Sequence, residues 1–497
     1  WYQLRPIPEG EIPPRSEFVP AMVHRAFRSD CRITTVYDFA LVENTRAPEG
    51  ENPIIAGISL QQDIGYFGKV KLMYGISEII ATHSDYRNKG LMRRLFHDLV
   101  HPASDLRGDV IQIIAGIPHF YRQFGYEYAL DFGSYNPQKL NDLTSILPLA
   151  EHESVEKGGQ GEPFLLRTPS VDDLPYLAEM STPEKRLSQA GGGLLYDENY
   201  WRFWIRDAVA NMASKFDASR NHWIIVDAKT GKDCGVAMAR GCPMLSIEMF
   251  VLDEEHNYRD AMHSVLRQIL AISNGPTAWE QKQQLEEVKD AKEAKEVKEQ
   301  QGTTTANQNN IRGMTLSLDP EHPIMKLFAS KSTVMITKSK MYTRIPSYAN
   351  FLLKIAPVLE DRLAQSCLKE ITVIWQFNFF RKVVGSAGKG LEVVFESGKL
   401  ISARDDWVEP SPKEKVMAAR ERIAKAKEEN RPDFKPLVYQ AQFAPLTFTR
   451  LVVGDLTMDQ MTDIYAECGI REGGDDAKLM LDILFPKQTF HFDLHSW

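Results

Sequence analysis

The residues best suited to chemistry lie in one short stretch, residues 79–100, "IIATHSDYRNKGLMRRLFHDLV". An apolar run ends at Thr82, and a polar turn with one glycine, Gly90, leads into an amphipathic segment. The first turn of a helix leaves backbone N–H groups without partners, and these groups together with the helix dipole attract phosphate oxygens. A glycine also lets a ligand approach the backbone closely. The pattern predicts a phosphate or pyrophosphate site surrounded by four cations: Arg87, Lys89, Arg93 and Arg94.

A plainer interpretation of this stretch stays open on these residues alone. Gly90 would only ease a turn, and the cations would form a solvated face. The stretch also lacks both common nucleotide-binding patterns, G-x-G-x-x-G and the P-loop G-K-[ST].

Two segments favour the first interpretation because together they resemble the GNAT acetyltransferase superfamily. "YRNKGLMRRLF" is similar to its acetyl-CoA pyrophosphate loop, R/Q-x-x-G-x-G/A, with Arg87 and Gly90 in register and Met92 replacing the final small residue. About thirty residues downstream, "HFYRQFGYEYAL" (119–130) resembles the Tyr-x-x-x-Gly-Phe/Tyr segment that follows strand five of the superfamily.

A closer resemblance is to the Eis (enhanced intracellular survival) family of amine acetyltransferases. It implies an α/β (α+β) fold with tandem GNAT folds and a C-terminal sterol-carrier-protein-like α+β domain. The expected boundaries are 1–133 for the catalytic GNAT domain, 134–344 for a degenerate second copy and 345–497 for the last domain. The second copy has "DEEHNYRDAMHSVL" where a phosphate loop would lie, and residues 277–312 form a low-complexity insertion expected to be flexible.

The resemblance also implies the residues that would bind acetyl-CoA as co-substrate. Backbone groups of Ile80, Ala81 and Thr82 would hold the pantetheine arm, and Gly116 and Ile117 would border it. The pyrophosphate would lie against Arg87 and the loop residues that follow it: Asn88, Lys89, Gly90, Leu91, Met92 and Arg93.

Acetyl transfer to an amine requires a proton donor for the departing thiolate and an acceptor for the amine proton. By the resemblance, Tyr121 is the donor, and the α-carboxylate of Trp497 reaches the active site from the end of "FHFDLHSW". Glu78 is the alternative base, although an outward-facing strand residue is the expectation favoured for it. Asp30 would add negative charge to the amine pocket.

Composition limits the partners of the chain. With 59 Lys and Arg against 67 Asp and Glu, its net charge of -8 argues against a general nucleic-acid binder and mildly favours cationic partners. No apolar run has the length of a membrane span, and neither the five scattered cysteines nor the twelve histidines show metal spacing. We therefore expect no metal, no membrane, a small-molecule amine substrate and a cytoplasmic location, and relatives imply a homo-oligomer.

The order of elements within the chain predicts a duplication. Strand-like runs at 32–42, 54–60, 70–82 and 110–115 surround one helix at 90–100, and the residues after "LLRTPSVDDLPYLAEM" repeat this order. Ser170 with Asp173 has the spacing of a capping box, and "AGGGLL" (190–195) is expected to be a flexible loop. Two other functions stay open: a non-catalytic GNAT-derived protein that binds a lipid or partner, and a protein-lysine acetyltransferase.

Overall fold

The structure is a computed structural model, and it describes most of the chain between residues 36 and 491. The described residues are 36–46, 54–131, 138–141, 143, 147, 162–186, 191–210, 220–241, 244–274, 311, 313–319, 322–334, 340–380, 389–408 and 437–491. They form a mixed α/β fold with three sheets.

The first part of the chain contains five strands and one long helical run. The strands are β1 (Val36–Glu43), β2 (Ile54–Phe67), β3 (Val70–Thr82), β4 (Ile111–Ile114) and β5 (Glu127–Asp131). The helical run between β3 and β4 is α1 (Leu91–Arg94), a π-helical stretch (Leu95–Val100) and α2 (His101–Arg107). The predicted strands and helix are therefore present, and the helix continues beyond residue 100.

The middle part repeats this order in a seven-stranded sheet, and among its described strands only residues 192–194 join the first sheet instead. Its elements are β6 (Gln138–Leu140), β7 (Phe164–Arg167), α3 (Leu174–Met180), β8 (Gly192–Leu194), α4 (Glu198–Ala210), β9 (Arg220–Asp227), β10 (Asp233–Arg240), β11 (Met244–Leu252), α5 (Tyr258–Asn274), β12 (Gly313–Leu316), α6 (Pro323–Leu327) and β13 (Ser332–Val334). The strands β9, β10 and β11 pair antiparallel, and β12 follows α5 and pairs parallel with β11, as β4 follows its helix and pairs with β3. The predicted Ser170 capping box is confirmed.

The last part is an α+β unit. It contains β14 (Lys340–Arg344), α7 (Tyr348–Lys354), α8 (Ala356–Ala364), β15 (Val373–Phe379), β16 (Gly390–Glu396), β17 (Lys399–Asp405), β18 (Leu437–Phe443), α9 (Thr447–Val452), α10 (Met458–Ile464), β19 (Gly469–Glu472), α11 (Gly474–Leu484) and β20 (Phe490–His491). Its five-stranded sheet has the order β17-β16-β15-β18-β19.

The first sheet takes strands from every part of the chain. Its order is β20-β8-β2-β3-β4-β14-β5, with β1 also pairing with β2. Residues 192–194, expected to belong to a flexible loop, instead form β8 and pair with residues 65–67 of β2. Three strands from outside residues 1–133 thus complete the sheet that carries the predicted site.

The two faces of the first sheet have different neighbours. Leu60 packs in one core with Leu95 and Phe96 of the helical run. On the opposite face, Ile76 shares a core with Phe351 of the last unit. Burial of such side chains stabilises a fold by about 1.5–3 kcal/mol each, so the helical run and the last unit are both fixed firmly on this sheet.

Candidate active site

The site begins where β3 and β4 separate. These strands pair in parallel over only three residue pairs, from Tyr74 with Ile111 to Ile76 with Ile113. The strand β3 continues to Thr82 beside β2 on its other edge. Among the described residues, Ile80, Ala81 and Thr82 therefore have no hydrogen-bonded strand beside them on the β4 side of β3. An extended ligand can pair with extended backbone of this kind.

A bulge marks the point of separation. Ile79 has a φ of 51°, which a β-branched residue rarely adopts. The pairing of β2 with β3 changes register between Gly57 and Ser59, opposite this residue. Strain of this type is kept where it re-aims a strand beside a functional site.

The loop after β3 ends in an uncapped helix N-terminus. A 3-10 turn (Ser84–Tyr86) follows the strand, and Asn88 and Gly90 both have left-handed backbones, with φ values of 60° and 74°. Gly90 is the N-cap of α1 and provides no side-chain cap. The amide of Arg94 donates to the Gly90 carbonyl at 3.1 Å, so the amides of Leu91, Met92 and Arg93 precede the first hydrogen bond of the helix and point out of it.

The four predicted cations surround this loop in different ways. Arg87 Nε lies 3.4 Å from the Thr82 carbonyl, and Lys89 Nζ lies 4.5 Å from the centre of the Tyr86 ring. Arg93 donates to Gln123 at 3.0 Å, which ties the helix start to the 3-10 turn Tyr121–Phe124. Arg94 pairs with Asp98 one turn along the helix. The loop therefore presents three cations beside its open amides.

Tyr121 lies at the separation of the strands. A Cβ atom on Gly116, two residues after β4, would lie 2.5 Å from the Tyr121 ring, so the glycine makes room for this side chain. The ring packs edge-on against Tyr342 with centroids 5.3 Å apart, and Tyr121 is only 4% exposed. Burial raises the pKa of Tyr121 to about 12. The phenol therefore keeps its proton at neutral pH and can donate it.

The structure contradicts the expectation that the Glu78 side chain faces solvent. Glu78 is buried, with 5% of its surface exposed. It pairs with Ser59 across β2 and β3, and cross-strand partners share a face. Since Leu60 faces the helical run, Ser59 and Glu78 lie on the opposite face of the sheet.

Asp63 was missed by sequence reasoning. Asp63 follows Ser59 and Gln61 along β2 at intervals of two residues, so the three side chains lie on the same face of the sheet. Asp63 is 6% exposed. Burial, with the negative charges of Glu78 and Asp197, raises its pKa to about 7. We call Asp63, Glu78 and Asp197 the acidic wall. The polar run "QQD" inside a long apolar strand was the available signal.

The remaining predicted residues divide into two groups. Gly116 and Ile117 border the separation, and the Ile117 carbonyl accepts a hydrogen bond from the Tyr342 hydroxyl at 3.2 Å. Trp497 and Asp30 lie outside the described residues. Tyr342 was missed because nothing in its sequence shows that β14 inserts between β4 and β5.

In the middle part of the chain, which we also call the second unit, β11 and β12 separate in a comparable way, but protein groups fill the space between them. The strands β11 and β12 pair from Met244 to Ile247, and beyond that point buried His322 contacts the Phe250 carbonyl through Nε2 at 2.9 Å. Its Nδ1 accepts from the Ile324 amide at 3.2 Å. At the start of α5, the Asn257 side chain accepts from the Arg259 amide at 2.8 Å. A side chain and a cap thus occupy the positions that stay open in the first unit.

Comparison with known families agrees with this geometry. Residues 55–129 match the family model described as "Acetyltransferase (GNAT) domain". The chain contains a GNAT acetyltransferase domain. None of the curated proteins matches this sequence.

Solved structures share the fold over most of the chain. A GCN5-related N-acetyltransferase from Kribbella flavida has a TM-score of 0.51 at 12% identity, covering 90% of this chain and 86% of that chain. A probable N-acyltransferase from Enterococcus faecalis has a TM-score of 0.54 at 12% identity, covering 92% and 99%. Eis1 from Mycobacterium abscessus is less similar, with a TM-score of 0.48 at 12% identity, covering 97% and 98%, which is too low to establish a shared fold. At sequence identities this low, the similarity to the other two structures shows a shared fold only, and the activity has to be inferred from the site itself.

The described residues also bear on metal binding and on membrane spans. No group of three or more His, Cys, Asp or Glu side chains in the described ranges could hold a metal ion. Among the helices described, none is both long and apolar enough to cross a membrane.

Proposed function

We propose that this protein is an acetyl-CoA-dependent N-acetyltransferase that transfers acetyl to a primary amine by direct transfer in a ternary complex. One observation carries the proposal: the open edge of β3, the uncapped start of α1 and the buried phenol of Tyr121 meet where β3 and β4 separate. An extended thioester with an anionic end fits these three features together.

Acetyl-CoA binding would follow from the backbone around the loop. The open edge at Ile80, Ala81 and Thr82 would pair with the amides of the pantetheine arm. The amides of residues 91–93 would donate to the pyrophosphate, and Arg87 and Lys89 would add charge. Gly116 and Ile117 would border the acyl end beside Tyr121.

The reaction forms a C–N bond and breaks the C–S bond of the thioester. The amine nitrogen loses a proton as it attacks, and the departing sulfur gains one. Tyr121 would donate the proton to sulfur, because its raised pKa keeps it protonated through the pH range of the reaction. A carboxylate would accept the amine proton through water.

The direction of β20 supports the Trp497 carboxylate in that role. Gly193 of β8 pairs with Tyr66 of β2 on one side and with His491 of β20 on the other, so His491 and Tyr66 lie at the same height along the sheet. The strand β20 runs antiparallel to β2, toward the end of the sheet where β3 and β4 separate. Six further residues span at most about 20–22 Å, which is close to the length of β2 from Tyr66 to Ser59. An extended tail would thus bring its carboxylate level with Glu78, which stays the alternative base.

The acidic wall supports a cationic acceptor. Asp63 and Glu78 lie on the face of the sheet away from the helical run, and the negative charge that the three carboxyl groups carry favours a protonated amine over an anionic acceptor. A small amine and a lysine side chain both carry this charge, so the acceptor panel must contain both. The Eis-like type, the sterol-carrier-like last unit, a homo-oligomer and the cytoplasmic location stay predictions of the resemblance.

A matched pair of glycines tests the cofactor site. Gly90 and Gly108 stand at the two ends of the same helical run, both with left-handed backbones and open space around an added Cβ. Gly90→Asp should abolish acetyl-CoA binding in calorimetry, because it places a negative charge at the pyrophosphate position. Gly108→Asp carries the same strain at the other end and should bind normally. Equal affinities for the two variants would remove the cofactor assignment.

A further inference from the structure

The strand β14 brings a distant tyrosine to the separation of β3 and β4. It lies between β4 and β5 in the first sheet, and its central residue, Tyr342, pairs with Ile114 at the end of β4 and with Tyr128 of β5. The Tyr342 side chain is fully buried and shares a core with Tyr121 and with residues of the helical run. Tyr342 is therefore a neighbour of the proposed proton donor, although it belongs to another part of the chain.

The Tyr342 hydroxyl holds the turn that leads into Tyr121. It donates to the Ile117 carbonyl at 3.2 Å, and the same carbonyl accepts from the Phe120 amide at 3.2 Å. A carbonyl oxygen has two lone pairs and can accept both bonds. His119, inside this turn, has a φ of 62°, a conformation that an ordinary residue keeps only where its surroundings hold it. The hydroxyl is thus one of the groups that fix a strained turn directly before Tyr121.

The Tyr342 ring limits the movement of the Tyr121 ring. The two rings pack edge-on with centroids 5.3 Å apart, and Tyr342 also stacks on Tyr128 with centroids 3.9 Å apart. Gly116 approaches the Tyr121 hydroxyl itself, since an added Cβ would lie 3.1 Å from its oxygen. In a close-packed interior, contacts of this kind leave a side chain little room to rotate.

Ion pairs hold β14 at both ends. At its start, Lys340 Nζ pairs with Asp131 of β5 at 2.9 Å and with Asp455 of the last unit at 2.7 Å. At its end, the buried Arg344 donates to Asp105 of α2 at 3.1 Å. A side chain on a strand that is fixed in this way holds its neighbours more precisely than one on a loop.

We propose that Tyr342 is a positioning residue for the proposed acetyl transfer, and that it holds Tyr121 and the turn before it in the geometry for proton donation. The inference rests on the proposed function, because it assigns Tyr342 a part in a reaction in which Tyr121 donates the proton to sulfur. Tyr342 acts without touching the substrate. Proton transfer needs the donor within hydrogen-bond reach of the acceptor, so a displacement of about 1 Å is enough to slow it.

Tyr342→Phe tests the hydroxyl with little change of shape, because it keeps the ring and removes the bond to the Ile117 carbonyl. We expect kcat to fall roughly 10–100-fold, the usual effect of a misplaced catalytic group, while KM and the acetyl-CoA Kd stay within about twofold. Amide exchange of residues 117–124 should speed up, because the turn loses one of its hydrogen bonds. Unchanged exchange there would overturn the inference.

Tyr348→Phe is the matched control. Tyr348 is also a buried tyrosine, and its hydroxyl shares a hydrogen bond with Thr449 Oγ1 at 2.7 Å in the last unit. This variant also loses one buried hydrogen bond, so it should lower the Tm about as much as Tyr342→Phe does. Its kcat and its amide exchange in residues 117–124 should equal those of the wild type. An equal fall in kcat for both variants would show general destabilisation and would overturn the inference.

Combination with Tyr121→Phe tests whether Tyr342 acts through Tyr121. In that background Tyr342→Phe should lower kcat by less than about twofold further, because the donor that it positions is already gone. Losses that multiply would overturn the inference. A kcat of Tyr342→Phe close to that of an active wild type would overturn it as well and leave the proposed function standing. A wild type that transfers no acetyl to any acceptor would overturn both.

Discussion

Asp63→Asn tests the electrostatics of the acidic wall. Asp63 is buried beside Glu78 and Asp197, and its pKa is raised from 3.8 to about 7. Asparagine has the shape of a protonated aspartic acid but never ionises. The variant should therefore resemble the wild type at low pH and differ from it at high pH.

The sign and size of the stability difference between Asp63→Asn and the wild type follow from proton linkage. Below pH 3.8 the group is protonated in both folded and unfolded chains. Between that pH and about 7, only the unfolded chain releases the proton, so the free energy of unfolding falls as pH rises. At about 1.36 kcal/mol per unit of pKa difference, the wild type loses about 4 kcal/mol in total. Asp63→Asn should therefore exceed the wild type in stability by about 1 kcal/mol at pH 4.5 and about 4 kcal/mol at pH 8.

Calorimetric melting at the two pH values measures this difference. We expect the Tm of Asp63→Asn to exceed that of the wild type by roughly 10 °C at pH 8 and by little at pH 4.5. Asp85→Asn is the control, since the Asp85 side chain is 77% exposed, and it should shift neither Tm. An equal Tm difference at both pH values would show that Asp63 has an ordinary pKa, which would refute the reasoning.

Three other outcomes are expected. Tyr121→Phe should lower turnover by roughly 10²–10⁴-fold with unchanged acetyl-CoA affinity. Tyr126→Phe is the control: it removes a hydroxyl that donates to Gln112 at 3.0 Å and should affect melting rather than turnover. A near-normal turnover for Tyr121→Phe would show that Tyr121 is only a core aromatic residue. Appending residues after Trp497 should abolish most turnover with little change in Tm, and a normal rate would make Glu78 the leading base. His322→Ala should destabilise the second unit by about 1–3 kcal/mol through two lost hydrogen bonds without altering acetyl-CoA affinity, so a changed affinity would place a cofactor site there.

The loop and the helix of the site could be predicted because their signals are local. Gly90, the cations around it and the apolar run before them lie within twenty residues, and the left-handed backbone at Gly90 is a conformation that glycine favours. The position of Tyr121 could be predicted for the same reason, from a short segment with fixed spacing.

The environment of that site could not be predicted because it depends on long-range pairing. Tyr342 reaches Tyr121 only because β14 inserts between β4 and β5, more than two hundred residues after them in the chain. Glu78 has the pattern of an outward-facing residue, yet it lies on a face of the sheet where Ile76 packs against Phe351 from far along the chain. Local alternation of polar and apolar residues contains no information about which distant unit packs on a face.

The most direct test of the central claim is acetyl transfer itself. The full-length protein is mixed with acetyl-CoA and a panel of polyamines, aminoglycosides, small amines and lysine peptides, and free CoA thiol is measured together with the mass of each acceptor. The account predicts that at least one cationic amine gains an acetyl group in step with thiol release, and that Gly90→Asp abolishes both. Tight binding of acetyl-CoA with no acetylated acceptor and no thiol release would contradict it.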